Sequence, residues 1–144
     1  MRRQWPLLLA ALWWGGLSAL SFVAVPLAFA HFGNPALAGP YAAGLFQIQS
    51  WTSLFAALGL LLWARAQTAR ATAHAGAGLL ASLLPWLLLA ALAALVQEFG
   101  VAQRIVTARS SGADLRLWHG AGTVLVLLQW LGALRVFTRL ASRP

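Results

Sequence analysis

The sequence contains no cysteine, and its single methionine is Met1. Disulfide bonds, thiolate chemistry and soft-ligand copper(I) sites are therefore excluded within this chain. Acidic residues are almost as scarce, because Glu98 and Asp114 carry the only two carboxylate side chains. Few groups remain for acid–base or metal chemistry, so the position of each acid in the chain is informative.

Charged residues make up 8% of the 144 residues, whereas 61% are hydrophobic. Because soluble domains carry about 25% charged residues, this composition indicates an integral membrane protein. About 20 apolar residues in a helix cross a hydrocarbon core of about 30 Å, and four stretches reach that length. They cover approximately residues 5–32, 41–64, 79–103 and 117–137. We therefore predict an all-α fold, a four-helix bundle within a single transmembrane domain over 1–144.

All ten basic residues are arginines, and they lie at or near the ends of the apolar stretches. No basic face or stacking platform accompanies them, so we do not expect nucleic-acid binding. Seven arginines fall on one predicted side of the bundle: Arg2, Arg3, Arg65, Arg70, Arg135, Arg139 and Arg143. Three fall on the other side, partly offset by Asp114: Arg104, Arg109 and Arg116. The positive-inside rule then predicts that both termini are cytoplasmic and that the protein spans the cell inner membrane.

Proline, glycine and small residues mark the predicted ends and distortions of the helices. Residues 33–40 are predicted to form a short outer turn, and the polar stretch 64–78 a cytoplasmic loop. Pro26 and Pro85 each remove a backbone hydrogen bond and are predicted to distort their helices. The first 30 residues imitate a signal peptide, but the apolar run exceeds a usual signal core. We therefore interpret it as the first spanning helix.

Polar side chains concentrate toward the predicted outer ends of three helices. The candidates for a polar pocket are Gln47, Gln49, Gln97, Glu98, Arg104, His119 and Thr123. A carboxylate in lipid costs a few kcal/mol even on lenient insertion scales, so Glu98 should face the bundle interior. Helical spacing places Gln97 on one stripe with Arg104 and rotates Glu98 about 100° away. We predict that Glu98 accepts a hydrogen bond from His119, Gln47 or Gln49, with Arg104 at the outer rim.

Buried polar side chains in membrane helices often serve only to join helices, at about 0.6 kcal/mol per contact. We assign that role to Ser18, Ser21, Ser82 and Gln129. For Gln47, Gln49 and Thr123 both interpretations stay open. Glu98 and His119 are ionisable at membrane depth, which favours a functional site. His31 and His74 are interpreted as interface or loop residues.

The candidates do not form a recognisable catalytic or metal site. No nucleophile, base and orienting group occur at a familiar spacing, and no phosphate-binding loop is present. Zinc catalysis needs three protein ligands, and beside Glu98 and His119 the third would be His31, on another helix. Haem, with His119 as an axial ligand, is an alternative cofactor.

The favoured function is therefore non-enzymatic: binding or passage of a small polar or cationic species, or an accessory role to another membrane protein. The alternatives are a haem- or quinone-linked membrane oxidoreductase and a structural membrane subunit without a ligand. Besides the lipid bilayer, the expected partners are further copies of the chain or another membrane protein. Four helices hardly enclose a wide aqueous path, so passage would require such a partner.

Short motifs along nearly the whole chain resemble a bacterial family of four-helix membrane proteins labelled domain of unknown function 4149. They are Trp14-Gly15-Gly16, Pro26-Leu27-Ala28-Phe29, Gly44-Leu45-Phe46, the Arg104 region and Trp118-His119-Gly120. The family is similar to eukaryotic transmembrane protein 205, which is associated with platinum-drug resistance. Its pattern has a Pro-Arg pair where this chain has Gln103-Arg104, so the kink of that pair is not implied here. The resemblance implies the four-helix fold but no biochemical mechanism.

Overall fold

The computed structural model describes residues 4–70, 73–105 and 115–142, and within these ranges the chain forms four long helices and no strand. The first helix spans Trp5–Phe32 and the second Pro35–Arg70. The third covers residues 73–105, and the fourth spans Leu115–Ala141. Each contains a stretch long and apolar enough to cross a membrane. The predicted all-α, four-helix membrane fold is confirmed.

The helices form a ring in which each packs against the next and the fourth packs against the first. The bundle has a terminal half, near Trp5 and Ala141, and an opposite half that contains Glu98, here called the Glu98 half. The terminal half is filled by large apolar side chains that are at most 1% exposed: Leu17, Leu60, Leu83, Leu87 and Val136. Aromatic rings also pack between helices in this half. The ring centroids of Trp14 and Phe137, which stack, are 5.7 Å apart, and those of Trp5 and Trp63 are 6.2 Å apart.

The third and fourth helices approach closely where Gly132 faces Ala90. A Cβ atom added at Gly132 would lie 2.9 Å from Cβ of Ala90 and 3.0 Å from the carbonyl oxygen of Trp86. Real Cβ atoms essentially never come that close, so the absence of a side chain at Gly132 permits this packing. This contact fixes the third helix against the fourth just below the Glu98 half.

The connection between the first two helices is shorter than predicted. Gly33 ends the first helix in the left-handed conformation, at φ 60°. Asn34 then caps the second helix, because its Oδ1 accepts a hydrogen bond of 2.9 Å from the amide of Ala36. Asparagine before Pro35 is a strong start signal, so the helix begins at Pro35 and contains Pro40. The predicted turn over 33–40 was wrong beyond Asn34.

The predicted loop over 64–78 is also largely wrong, because the second helix continues to Arg70 and the third begins at Ala73. Alanine, arginine and glutamine form helices readily in water, so a polar composition ends the apolar span without ending the helix. The side chain of His74 lies outside the described residues. The sequence also predicts an outer loop over residues 107–116, and its part up to 114, with Arg109 and Asp114, likewise lies outside the described residues.

Two π-helical segments interrupt the α-helices, Leu20–Ala24 in the first helix and Val96–Ala102 in the third. The first lies just before Pro26, and the amide of Val25 bonds there to the carbonyl of Leu20. A wider turn accommodates a proline ring that lacks an N–H and crowds the preceding turn. The predicted distortion at Pro26 thus takes this form, whereas the α-helix runs through Pro85. The second segment contains Gln97 and Glu98.

Candidate binding cavity

A cavity of about 610 Å³ lies in the Glu98 half and is lined by all four helices. Cavities of this size are typical of sites for organic molecules. Its polar lining residues are Gln47, Gln97, Glu98, Gln103, His119 and Thr123. The remaining lining is apolar or small and includes Val25, Phe29, Phe46 and Val126. The lining therefore combines one carboxyl group and a few polar groups with a larger apolar surface.

The cavity separates two helix pairs. The end of the first helix, Val25–Phe32, packs against the second helix, and the π segment Val96–Ala102 packs against the fourth. Ring contacts join the pairs at its edges, since Phe22 meets Trp130 at 6.0 Å and Trp51 meets Phe99 at 6.3 Å. These ring contacts hold the two pairs together at the borders of the cavity.

Glu98 is the carboxylate of this cavity and is 8% exposed. Nε2 of Gln47, on the second helix, donates a hydrogen bond of 2.8 Å to Oε1 of Glu98. Within the described ranges this is the side-chain hydrogen bond that Glu98 receives, and no arginine or histidine there forms an ion pair with it. Glu98 faces the bundle interior as its cost in lipid requires. Of the three predicted donors, the structure selects Gln47.

Gln97 and Glu98 are consecutive, yet both are buried, at 5% and 8% exposure. Gln97 faces the fourth helix, where a Cβ added at Gly122 would lie 3.5 Å from its Nε2. Glu98 faces the cavity with Ala102 and Ile105, the stripe that helical spacing predicts. Both residues lie in the π segment Val96–Ala102. Oε1 of Gln97 has no hydrogen-bond partner among the described residues.

His119 and Thr123 line the cavity from the fourth helix, as their spacing of four residues predicts. Both side chains are exposed. The hydroxyl of Thr123 donates to the carbonyl of His119 at 2.9 Å, so it is used within its own helix. His31 lies at the end of the first helix against Phe32, with ring centroids 5.4 Å apart, and does not line the cavity.

Two predicted members of the pocket lie outside the cavity lining. Gln49 is turned toward the first helix, where its Oε1 accepts a hydrogen bond of 3.1 Å from Ser21. Two residues of a helix rotate the side chain by about 200°, so Gln47 and Gln49 cannot both face Glu98. Arg104 is exposed and its guanidinium lies over the ring of Trp118, 5.7 Å from the centroid. It joins the third helix to the fourth.

The serines assigned to helix joining divide into two groups. Ser18 accepts a 2.8 Å hydrogen bond from Nε1 of Trp130, and Ser21 donates to Gln49, so both join helices as predicted. Ser82 instead bonds to the carbonyl of Leu79 in its own helix. Gln129 is fully buried, but neither of its amide atoms has a partner among the described residues. The joining role predicted for Ser82 and Gln129 was therefore wrong.

Sequence reasoning missed the apolar part of the lining. Phe29 and Phe46 each end a short motif of the family resemblance, but neither those motifs nor the apolar character of Val126 placed these residues in a cavity. Gly122 had a weak signal, because His119 is followed by a run of small residues through Gly122 that leaves room beside the helix. Apart from Pro26, no residue in the sequence indicated the π segments.

One comparison with known proteins gives a match. The model of the family described as Domain of unknown function (DUF4149) matches residues 8–114, which is more than half of the chain. This stretch contains Gln47, Gln97 and Glu98, while His119 and Thr123 lie beyond it. Neither a curated protein nor a solved structure matches the chain.

Proposed function

Because the chain belongs to the DUF4149 family, whose description assigns no activity, we propose a function from the cavity: this multi-pass membrane protein binds a small species with a cationic or polar group. Glu98 is the proposed partner of that group. We place it in the cell inner membrane, and the distribution of the arginines supports an orientation with both termini cytoplasmic and the cavity facing outward.

The observation that supports this proposal is the burial of Glu98 with a single hydrogen-bond donor in the described part of the chain. Glu98 is only 8% exposed, and among the described residues a single amide, that of Gln47, donates a hydrogen bond to its carboxyl group. A carboxylate in such surroundings is stabilised by opposite charge much more than by one neutral hydrogen bond. A ligand with an ammonium or similar group would supply the missing charge from the cavity.

The terminal half favours binding over passage through a single chain. Below the cavity the bundle is packed with side chains such as Leu17, Leu60 and Leu87, each at most 1% exposed. An ion crossing that region would lose its hydration without gaining polar ligands, which is prohibitively costly. Passage would therefore require self-association or a partner membrane protein, whereas binding requires only the cavity.

The proposal is tested by thermal unfolding of the purified protein in lipid nanodiscs, followed by tryptophan fluorescence. The probes are chloride salts of ammonium, tetramethylammonium, butyltrimethylammonium and octyltrimethylammonium, compared with sodium chloride at equal ionic strength. A bound ligand stabilises the folded state by about 2.7 kcal/mol at 100 times its Kd. We expect at least one organic cation to stabilise the wild type and to lose that effect in Glu98→Gln.

Thr52→Val is the control variant, because Thr52 is exposed and bonds to the carbonyl of Ile48 in its own helix. It should respond to the cations like the wild type. The proposal fails if every cation acts equally on the wild type and on Glu98→Gln. A Soret band in the absorbance spectrum of the same preparation would instead favour the haem-linked alternative.

A further inference from the structure

We propose that the ligand of the Glu98 cavity is an amphiphile with a cationic head and an apolar tail, and that it enters from the membrane between the first and fourth helices. This inference rests on the proposed function and names the class of ligand. Three observations support it: the size of the cavity, the separation of the carboxyl group from the apolar residues of the first helix, and the exposure of lining residues on the first and fourth helices.

The cavity is too large to be filled by a small inorganic cation alone. At about 610 Å³ it exceeds the liquid volume of one water molecule, about 30 Å³, by roughly twentyfold. A bare or partly hydrated ion beside Glu98 would leave most of this volume without contacts. An organic molecule with a head near Glu98 and a body along the apolar wall would fill it.

The carboxyl group lies on one side of the cavity, and the first helix, which contributes only apolar lining residues, lies on another. Gln47 and Glu98 meet at the boundary of the second and third helices. Val25 and Phe29 on the first helix and Val126 on the fourth provide the apolar side. A ligand that contacts both sides therefore has a charged end and an apolar end. A tail against Val25 and Val126 exchanges lipid contacts for protein contacts of similar polarity, so it can lie there at little cost.

On this side the end of the first helix, Val25–Phe32, packs against the second helix and little against the fourth, which leaves room for a lateral opening between the first and fourth helices. Phe29 is 41% exposed, and His119 and Thr123 on the facing helix are exposed as well. Immediately below, Phe22 meets Trp130 at 6.0 Å and Trp130 bonds to Ser18, which closes the first helix onto the fourth. The lateral opening therefore begins above Phe22 and is continuous with the cavity.

The test compares butyltrimethylammonium with octyltrimethylammonium, whose permanent charge does not depend on pH. Binding is measured by tryptophan fluorescence in nanodiscs, expressed against the aqueous concentration, with protein-free nanodiscs subtracted. For a site reached from the membrane, four more methylenes should tighten apparent binding at least about tenfold, since each contributes up to about 0.8 kcal/mol when removed from water. Glu98→Gln should remove the binding of both cations.

Two variants test the position of the tail. Thr123→Trp places a large ring at the lateral opening from an exposed position, so folding should be preserved; Val126→Phe narrows the apolar wall from within. In either variant the octyl cation should fall to within about threefold of the butyl cation, because the tail loses the cavity and the gain per methylene disappears. Because Thr123 and Val126 both line the cavity, the readout is the ratio of octyl to butyl binding within each variant.

The outcomes separate the two proposals. Equal binding of the two cations by the wild type, with both lost in Glu98→Gln, would overturn the amphiphile and leave the proposed function standing. A tail preference that survives in both Thr123→Trp and Val126→Phe would overturn the lateral position of the tail. Binding of both cations that does not change in Glu98→Gln would overturn both proposals.

Discussion

Nε2 of Gln47 lies 2.8 Å from Oε1 of Glu98, so one hydrogen bond ties the second helix to the π segment of the third at the wall of the cavity. Gln47 itself is exposed, whereas Glu98 is buried. The amide of Gln47 therefore extends inward from the surface of the bundle, and the carboxyl group of Glu98 lies at the wall of the cavity. This tie links the two helix pairs that border the cavity.

Replacing Gln47 by Leu should weaken the bundle. The substitution leaves the carboxyl group of Glu98 without its described hydrogen bond, and interhelical hydrogen bonds in membranes contribute about 0.6 kcal/mol on average and up to about 1.7. Because the acceptor is a carboxyl group, we expect a loss near the upper end of that range. The measurement is the free energy of unfolding in mixed micelles, with Thr52→Val as the control. Equal stability of the two variants would show that the tie contributes nothing.

Gly132→Ala should destabilise the contact between the third and fourth helices. Its new methyl group would lie 2.9 Å from Cβ of Ala90 and 3.0 Å from a backbone oxygen of Trp86, which cannot move independently of its helix. Overpacking of this kind costs about 1–3 kcal/mol. Gly120→Ala is the matched control in the same helix, because nothing lies within 4 Å of a Cβ there.

Unfolding of both glycine variants in the same micelles distinguishes packing from helix propensity. Alanine favours a helix over glycine by up to about 1 kcal/mol, so Gly120→Ala should be unchanged or slightly more stable. Gly132→Ala should be less stable in spite of the same gain. If both variants gain stability equally, the two helices can separate at Gly132 without cost.

Much of the fold could be predicted because a membrane imposes a minimum length and an apolar composition on each helix. The same constraint explains the errors at the helix ends. Residues such as Arg65 and Gln67 end the apolar span, yet the helix continues to Arg70 in a region where hydropathy no longer reports on structure. Asn34 before Pro35 was a readable capping signal that determines the true start of the second helix.

Part of the candidate site could also be predicted, because the membrane constrains where a charged side chain can lie. A carboxyl group in lipid must turn inward, so Glu98 and a polar layer near it follow from energetics alone. The identity of its partner depends on the rotation of the second helix, which separates Gln47 from Gln49. Gln97 and Glu98 also lie in a π segment, Val96–Ala102, which the sequence does not signal.

Gln129→Leu should stabilise the protein. Gln129 is fully buried and neither its Nε2 nor its Oε1 has a partner in the described part of the chain, and a buried unsatisfied polar group costs about 1–3 kcal/mol. Leucine has a similar volume and no polar atoms. Gln49→Leu is the contrasting variant, because it also removes the acceptor of Ser21 and should gain less or lose stability. A loss of stability in Gln129→Leu would indicate that ordered water satisfies its amide.

The proposed orientation can be tested at the two ends of the bundle, since the absence of cysteine allows single labelled positions. His31 is exposed at the Glu98 end, and Ser142 is exposed just after the fourth helix, at the terminal end. With both termini cytoplasmic, a membrane-impermeant maleimide should label His31→Cys in intact spheroplasts and Ser142→Cys only after lysis. The reverse pattern would place the cavity on the cytoplasmic side and contradict the arginine distribution as an indicator of topology. Any ligand would then reach Glu98 from the cytoplasmic leaflet, so this experiment also decides from which side of the membrane the cavity is filled.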